Sequence, residues 1–269
     1  MHKILFLEYK FRDFTDEEII LPGPTAVMAA YEKLNPERIE QIKRLKLDLG
    51  VSFVVVPGRD SCPMNPETID FALKQVKGAV SVHPDVIWFD YLKFPGKWKI
   101  LDEKSDYEIH KECKYCKGAD RAIEITKLAR KLLSEIPKNI KTGVFTMPLM
   151  MGTYDNWEKT LGENFFELGN LFDYVSPMLY HRMIRKSVDY IHEHVEYLKN
   201  LKFSAEIIPI IQLKDMPDDL EDKLTIDEFK HACDASVMPP SSGLAIFSWD
   251  QAIEKNKLDS ASEILRNLK

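Results

Sequence analysis

The residues best suited to chemistry in this chain are acids that end short apolar runs. Val86-Ile87-Trp88-Phe89 leads straight into Asp90, and the segment stops at Phe94-Pro95-Gly96. A continuously apolar run bounded by breakers reads as a strand covered on both faces, the habit of parallel sheets. An acid at the end of such a strand is presented to the face where parallel α/β folds build their sites. The strand period of two places Asp90 on one side with Val86 and Trp88, while Ile87 and Phe89 point the other way. If the Asp90 side is the inside of a barrel, the carboxylate stands at its mouth. The plain alternative is an aspartate capping the following loop. Trp88, deeper on the same side, reads as core.

Other strand candidates end in the same manner. The first ends Glu8-Tyr9, the second runs into Arg59-Asp60, and the third continues past Asp90 to Lys93. Later runs end at Tyr180-His181-Arg182, at Gln212 and at Ser248-Trp249-Asp250. One polar terminus is noise, but several converging on one barrel face suit a hydroxyl-rich ligand. Tyr180 and Trp249 offer flat apolar faces with polar edges, suited to stacking on sugar rings, although each also fits ordinary core packing. Arg59, Lys93 and Gln212 supply donors beside them.

The elements that must position these residues alternate along the chain. Strands are expected at Ile4–Tyr9, Ser52–Pro57, Val86–Tyr91, Thr142–Met147, Tyr174–Tyr180, Glu206–Gln212 and Leu244–Trp249. Between them, Asn35-Pro36-Glu37 and Asn65-Pro66-Glu67 open helices with Pro in the first turn, and Gly50 and Gly78 read as their stops. Asp120–Ile136, Glu163–Leu171, Ser187–Leu201, Thr225–Ala232 and Gln251–Leu268 are the remaining helical stretches. Repeated β-then-α order implies a parallel sheet with helices outside. Residues 1–269 therefore read as one α/β domain, a (β/α)₈-type TIM barrel. Seven strands are clear where closure needs eight. The missing one falls in Thr25–Tyr31 or Ala79–Val82, or the barrel is irregular. Residues 10–34 and 92–118 read as long site-face loops.

Bulk properties narrow the function. With 269 residues and 45% hydrophobic content, the chain can bury one large core. A net charge of -6 gives no basic excess for neutralising phosphates, which argues against nucleic acid. No apolar run has the length of a membrane span, and the N-terminus turns polar too soon for a signal peptide. A cytoplasmic location is expected, although a secreted chain without its signal would read alike. No strand leads into a dinucleotide or P-loop glycine motif, and no nucleophile elbow is present.

Three segments carry a resemblance. Asp85–Pro95 resembles the D-x-I-x-F-D-Y-[VIL]-[RK]-[FY]-P strand of the glycoside-hydrolase-like TIM-barrel families. Phe172–Tyr180, FDYVSPMLY, resembles their D-Y-[IV]-S-P-M-x-Y strand, and Gly243–Asp250, GLAIFSWD, their closing strand. The resemblance implies a barrel related to sugar-cleaving enzymes, with Asp90 as the acidic residue, Tyr180 in the cleft and a carbohydrate ligand. Lys93 stands where Arg is commoner, which weakens any bidentate clamp on a carboxylated sugar.

Glycoside hydrolysis normally uses two carboxyl groups, roughly 5 to 9.5 Å apart. Asp90 is one candidate, and Asp60 or Glu8 the favoured second. Loop acids Asp155 and Glu158 are further possibilities, while Asp250 reads as the cap of the final helix. Such chemistry requires no cofactor. Two other readings stand beside it: a catalytically silent carbohydrate-binding barrel, and a metal-dependent hydrolase or lyase.

The last reading rests on cysteines. His110-x₂-Cys113-x₂-Cys116 follows the Asp90 strand, and Cys62 follows the strand before it. Both segments lie on the site face, so a Cys₃His structural zinc is one reading and free thiols another. Cys233 reads as buried and inert. His192 and His194 read as surface residues on a late helix.

Overall fold

A computed structural model of the protein describes residues 1–58, 61–95, 110, 112–150, 157–215 and 221–268. Its strands are β1 (His2–Phe6), β2 (Ala26–Ala30), β3 (Asp48–Val54), β4 (Val86–Asp90), β5 (Lys141–Thr146), β6 (Tyr174–Pro177), β7 (Glu206–Ile207), β8 (Ile210–Gln212) and β9 (Gly243–Phe247). They form one sheet in the order β7-β6-β5-β4-β3-β2-β1-β9-β8, and every pairing is parallel.

β7 and β8 are two halves of one strand interrupted at Ile208-Pro209. Proline has no N–H to give to a ladder, which accounts for the break. The bonding continues on both sides of it. Ile208 N–H donates to the Val175 carbonyl, Leu179 N–H to that of Ile210, and Ala245 N–H to that of Pro209. Eight strands therefore close a ring, the (β/α)₈ architecture expected from the alternation. The strand missing from the clear seven is β2, inside Thr25–Tyr31. The segment 10–34 is accordingly built of elements, a helix at Asp16–Ile20 and β2, and is no long loop.

The helices outside start where their caps lie. Side chains of Asn35, Asn65, Asp120, Asn164 and Thr225 each accept an N–H of the first turn. Two expected stops are corrected. The helix Pro36–Arg44 ends before Lys46, which has positive φ, and Gly50 lies within β3. The helix Pro66–Ser81 runs through Gly78, because a Cβ there would sit 2.8 Å from the Tyr31 ring. Both glycines mark close approaches of neighbouring rings, not helix ends.

Trp88 fills the barrel below the site. Its indole stacks on Phe145 and Tyr174, with centroids 5.4 and 5.7 Å away. In register, Trp88 stands opposite Gly143 on β5, and a Cβ on Gly143 would meet the indole at 2.3 Å. On the other flank, a Cβ on Gly50 would lie 3.1 Å from its Nε1. Two glycines on adjoining strands thus make room for one large side chain. Phe89 points outward, as the period requires, against Phe53 and Phe172. The inside is therefore closed beneath Asp90, and the space left for chemistry is the mouth. No described helix is long and apolar enough to cross a membrane.

Candidate active site at the barrel mouth

Asp90 ends β4 on the inward side, half-buried, and its carboxylate accepts the Tyr91 N–H at 2.8 Å. Burial pushes its pKa up to about 6, against the opposing pull of the Lys93 ammonium and that N–H bond. Lys93 is itself buried. Its Nζ lies 3.0 Å from Met147 Sδ and 4.9 Å from the centre of the Tyr91 ring. A buried cation next to an acid favours its ionised form and so limits the upward shift that burial causes.

The same ammonium acts on a second acid that sequence reasoning passed over. Glu163 is buried, and its carboxylate accepts the Met147 N–H at 3.1 Å. Burial raises its pKa to about 7; Lys93 and the Met147 N–H oppose the shift, and the Asp90 charge adds to it. The sequence reads Glu163 as the first residue of a helix. In the structure Asn164 caps that helix and Glu163 precedes it, turned inward. Two acids with raised pKa values thus share one lysine.

Across the mouth, the Glu8 carboxylate accepts from Ser248 Oγ at 2.5 Å. Tyr180 joins the two sides. It is buried, and its hydroxyl is held well above the usual tyrosine range by burial first, then by the charges of Asp90, Glu8 and Tyr91. Gln212, at the end of β8, donates to the Lys214 carbonyl at 2.7 Å. Its Oε1 is buried with no hydrogen-bond partner among the described residues. Glu8, Asp90, Lys93, Tyr180 and Gln212 therefore all reach the end of the barrel at which they were expected. Arg59 and Asp60 lie outside the described residues, as does Asp155. Glu158 is spoken for by the Asn164 amide, which donates to it at 2.7 Å.

Three expectations are corrected. Trp249 has 0% exposure, and its Nε1 donates to the Glu18 carbonyl at 2.8 Å, so the indole is a core residue and presents no face to a sugar. The ring beside the mouth is Phe247, partly exposed, packed edge-on to Phe6 at 5.1 Å and tilted against Tyr180 at 5.7 Å. The alternation of β9 continues inward at Phe247, and the next inward-reaching group is lost where the strand ends. Asp250 does not cap the final helix. It is the first residue of the helix Asp250–Glu254, and its carboxylate accepts the N–H groups of Glu8 and Lys10 at 2.7 and 3.0 Å. His194 is fully buried among Phe165, Tyr190 and Tyr197, and burial lowers its pKa to about 3, so it is a neutral core residue and not a surface one.

Among the described residues, those able to hold a metal together are Cys62, His110, Cys113 and Cys116, whose ligand atoms all lie within 4.8 Å of one another. They sit on the segments that follow β3 and β4. Four donors of this kind would fill a tetrahedral shell and leave no position open for substrate. That arrangement speaks against the metal-dependent hydrolase or lyase reading.

No protein-family model matches this chain, and no curated protein matches it in sequence. Solved structures do resemble it. The glycoside hydrolase domain of PgaB (BpsB) from Bordetella bronchiseptica aligns with a TM-score of 0.72 at 10% identity, covering 100% of both chains. The spore cortex-lytic enzyme SleL of Bacillus cereus aligns at 0.64 and 10% identity, over 100% of this chain and 74% of its own. A GH18 chitinase from Cycas revoluta, solved in complex with (GlcNAc)3, aligns at 0.57 and 11% identity, over 98% of this chain and 99% of its own. At these identities, what the chain shares with them is the α/β TIM-barrel fold.

Proposed function

We propose that the barrel mouth cleaves a glycosidic bond in an oligosaccharide or glycoconjugate. Asp90 delivers a proton to the leaving oxygen, and Glu8 acts as the second carboxyl from the facing wall. The observation that carries this reading is the setting of Asp90: an inward acid at the end of β4, beside Lys93, with its pKa raised to about 6. An acid catalyst must hold its proton near the working pH, and burial is the usual means. Glu8 supports the pairing because its charge and that of Asp90 both bear on Tyr180. Asp60, on the segment after β3, is the alternative second carboxyl.

The ligand contacts proposed are Phe247 for stacking on a sugar face and Gln212, Lys93 and Tyr180 for its hydroxyls. Carbohydrate chemistry is also what the names of the PgaB glycoside hydrolase domain and the Cycas revoluta chitinase describe, which favours this ligand class. The test is product analysis on a glycan panel that includes N-acetylglucosamine oligomers. Cleavage by the wild type, abolished in Asp90→Asn with binding retained, is the expected result. Reducing Glu8→Gln and Asp60→Asn alongside identifies the second carboxyl. Tight binding across the panel with no product from the wild type would instead make this a carbohydrate-binding barrel.

A further inference from the structure

We infer that Cys62, His110, Cys113 and Cys116 form a closed structural zinc site that fastens the segment leading into the helix Arg121–Leu133 onto the wall of the barrel mouth. The four donors come from two chain segments and still converge, with all ligand atoms within 4.8 Å. A tetrahedral ion with bonds near 2.3 Å sets its ligands roughly 3.8 Å apart, so a small contraction completes the shell. Three soft sulfurs and one imidazole are a zinc donor set.

Two further observations bear on the site. The first is the backbone around the sulfurs. Asn65 N–H donates to the Cys62 carbonyl and Cys116 N–H to that of Cys113, so each sulfur-bearing residue sits in a tight turn. Cys113 N–H and Lys117 N–H close the turn on the carbonyls of His110 and Cys113. These turns hold the donors close together without an ion. The second is His110 Nε2, a buried nitrogen with no hydrogen-bond partner among the described residues. One ion would give the three sulfurs and the unpartnered His110 nitrogen a common partner.

The site also has a mechanical role. The His110 ring lies edge-on to Phe94, with centroids 6.4 Å apart, and Arg121 covers the same phenyl ring at 4.7 Å. Phe94 N–H donates to the Leu161 carbonyl at 2.7 Å. Phe94 is the neighbour of Lys93, so the metal would buttress the strand end that aims the lysine at Asp90 and Glu163.

The experiment is metal analysis of protein purified from zinc-supplemented cells, followed by cobalt titration of the chelator-stripped, reduced chain. About one zinc per chain is expected, together with a thiolate-to-cobalt absorption band that saturates at one equivalent. Cys113→Ser should weaken cobalt binding by at least about 100-fold, since even groups one step removed from a metal cost 10 to 100-fold. Cys233→Ser, buried elsewhere, should leave binding unchanged. Circular dichroism of the stripped wild type reports whether the fold persists without metal. A folded, reduced wild type that gives no cobalt band and holds no zinc overturns the inference, as does a purified chain whose cysteines are paired by mass and bind no metal once reduced. Neither readout involves glycan cleavage, so the metal site and the hydrolase reading stand or fall separately.

Discussion

Glu8 and Ser248 meet across the seam where the first strand of the barrel lies beside the last, carboxylate to hydroxyl at 2.5 Å. The contact fixes the rotamer of one proposed catalytic acid through a residue 240 positions away. Ser248→Ala should therefore lower kcat with little change in ligand affinity, because it frees the Glu8 carboxylate without removing a sugar contact. A loss of the hydrogen bond should also cost about 1 kcal/mol of stability. Kinetics and a urea titration on the same variant separate the two effects.

Asp90 sets the pH profile. As a proton donor with a pKa near 6, it should give rates that fall as pH rises through about 6. Asp90→Asn should reduce kcat by roughly 100-fold or more. A pH–rate profile of kcat/KM on any cleaved glycan checks the first point. A basic limb that persists unchanged in the variant would reassign the acid.

Glu163 sets a stability profile. Its folded-state pKa, about 7, lies above the ordinary 4.5. The folded chain thus holds this proton more tightly than the unfolded chain, and the resulting stability is full below about 4.5 and lost as pH rises to about 7. The shift corresponds to something on the order of 3 kcal/mol. Glu163→Gln should flatten the decline in melting temperature between those limits. If wild type and variant lose stability in parallel across that range, the buried acid is not its source.

Phe247 and Trp249 should behave oppositely. Phe247→Ala is expected to weaken glycan binding by about 1 kcal/mol, the worth of one aromatic contact. Trp249→Ala should cost about 3–5 kcal/mol of folding stability, since it empties a fully buried site. Calorimetry for binding and denaturant melts for stability would show whether the two roles are divided in this way.

Gly143→Ala should destabilise the barrel by about 1–3 kcal/mol, because its methyl group must displace the Trp88 indole. Altered tryptophan fluorescence should accompany the loss.

What could be read from sequence followed from local pattern. Asp90 was legible because its strand is short, apolar and bounded, so that the period of two alone assigns its side. Tyr180 and Gln212 were placed only as ends of later strand candidates. The eighth strand, β2, was harder because three of the five residues of Ala26–Ala30 are alanine, which has weak strand preference. Trp249 misled because alternation stops at the strand end, where its indole turns to Glu18 and Phe247 remains beside the mouth. Glu163 was not legible at all. Its inward turn depends on Met147 and Lys93, residues 16 and 70 positions earlier, and no local signal encodes a meeting at that range. Gly50 and Gly78 failed similarly, since what they accommodate comes from another element.

The clasp formed by Asp250 on Glu8 and Lys10 also bears on how the protein is made. β1 is made well before one of its two neighbours, β9, since the other seven strands lie between them in the chain. Until then β1 has an open edge, and unpaired edges in partly folded chains invite association with other chains. Ser248 and Asp250, which bond the Glu8 carboxylate and the Glu8 N–H, arrive with β9 or just after it. A nascent or truncated chain that stops before them would carry an exposed seam and an unfinished site, so synthesis of β9 and the residues just after it is the step at which this barrel acquires both its closure and its proposed chemistry.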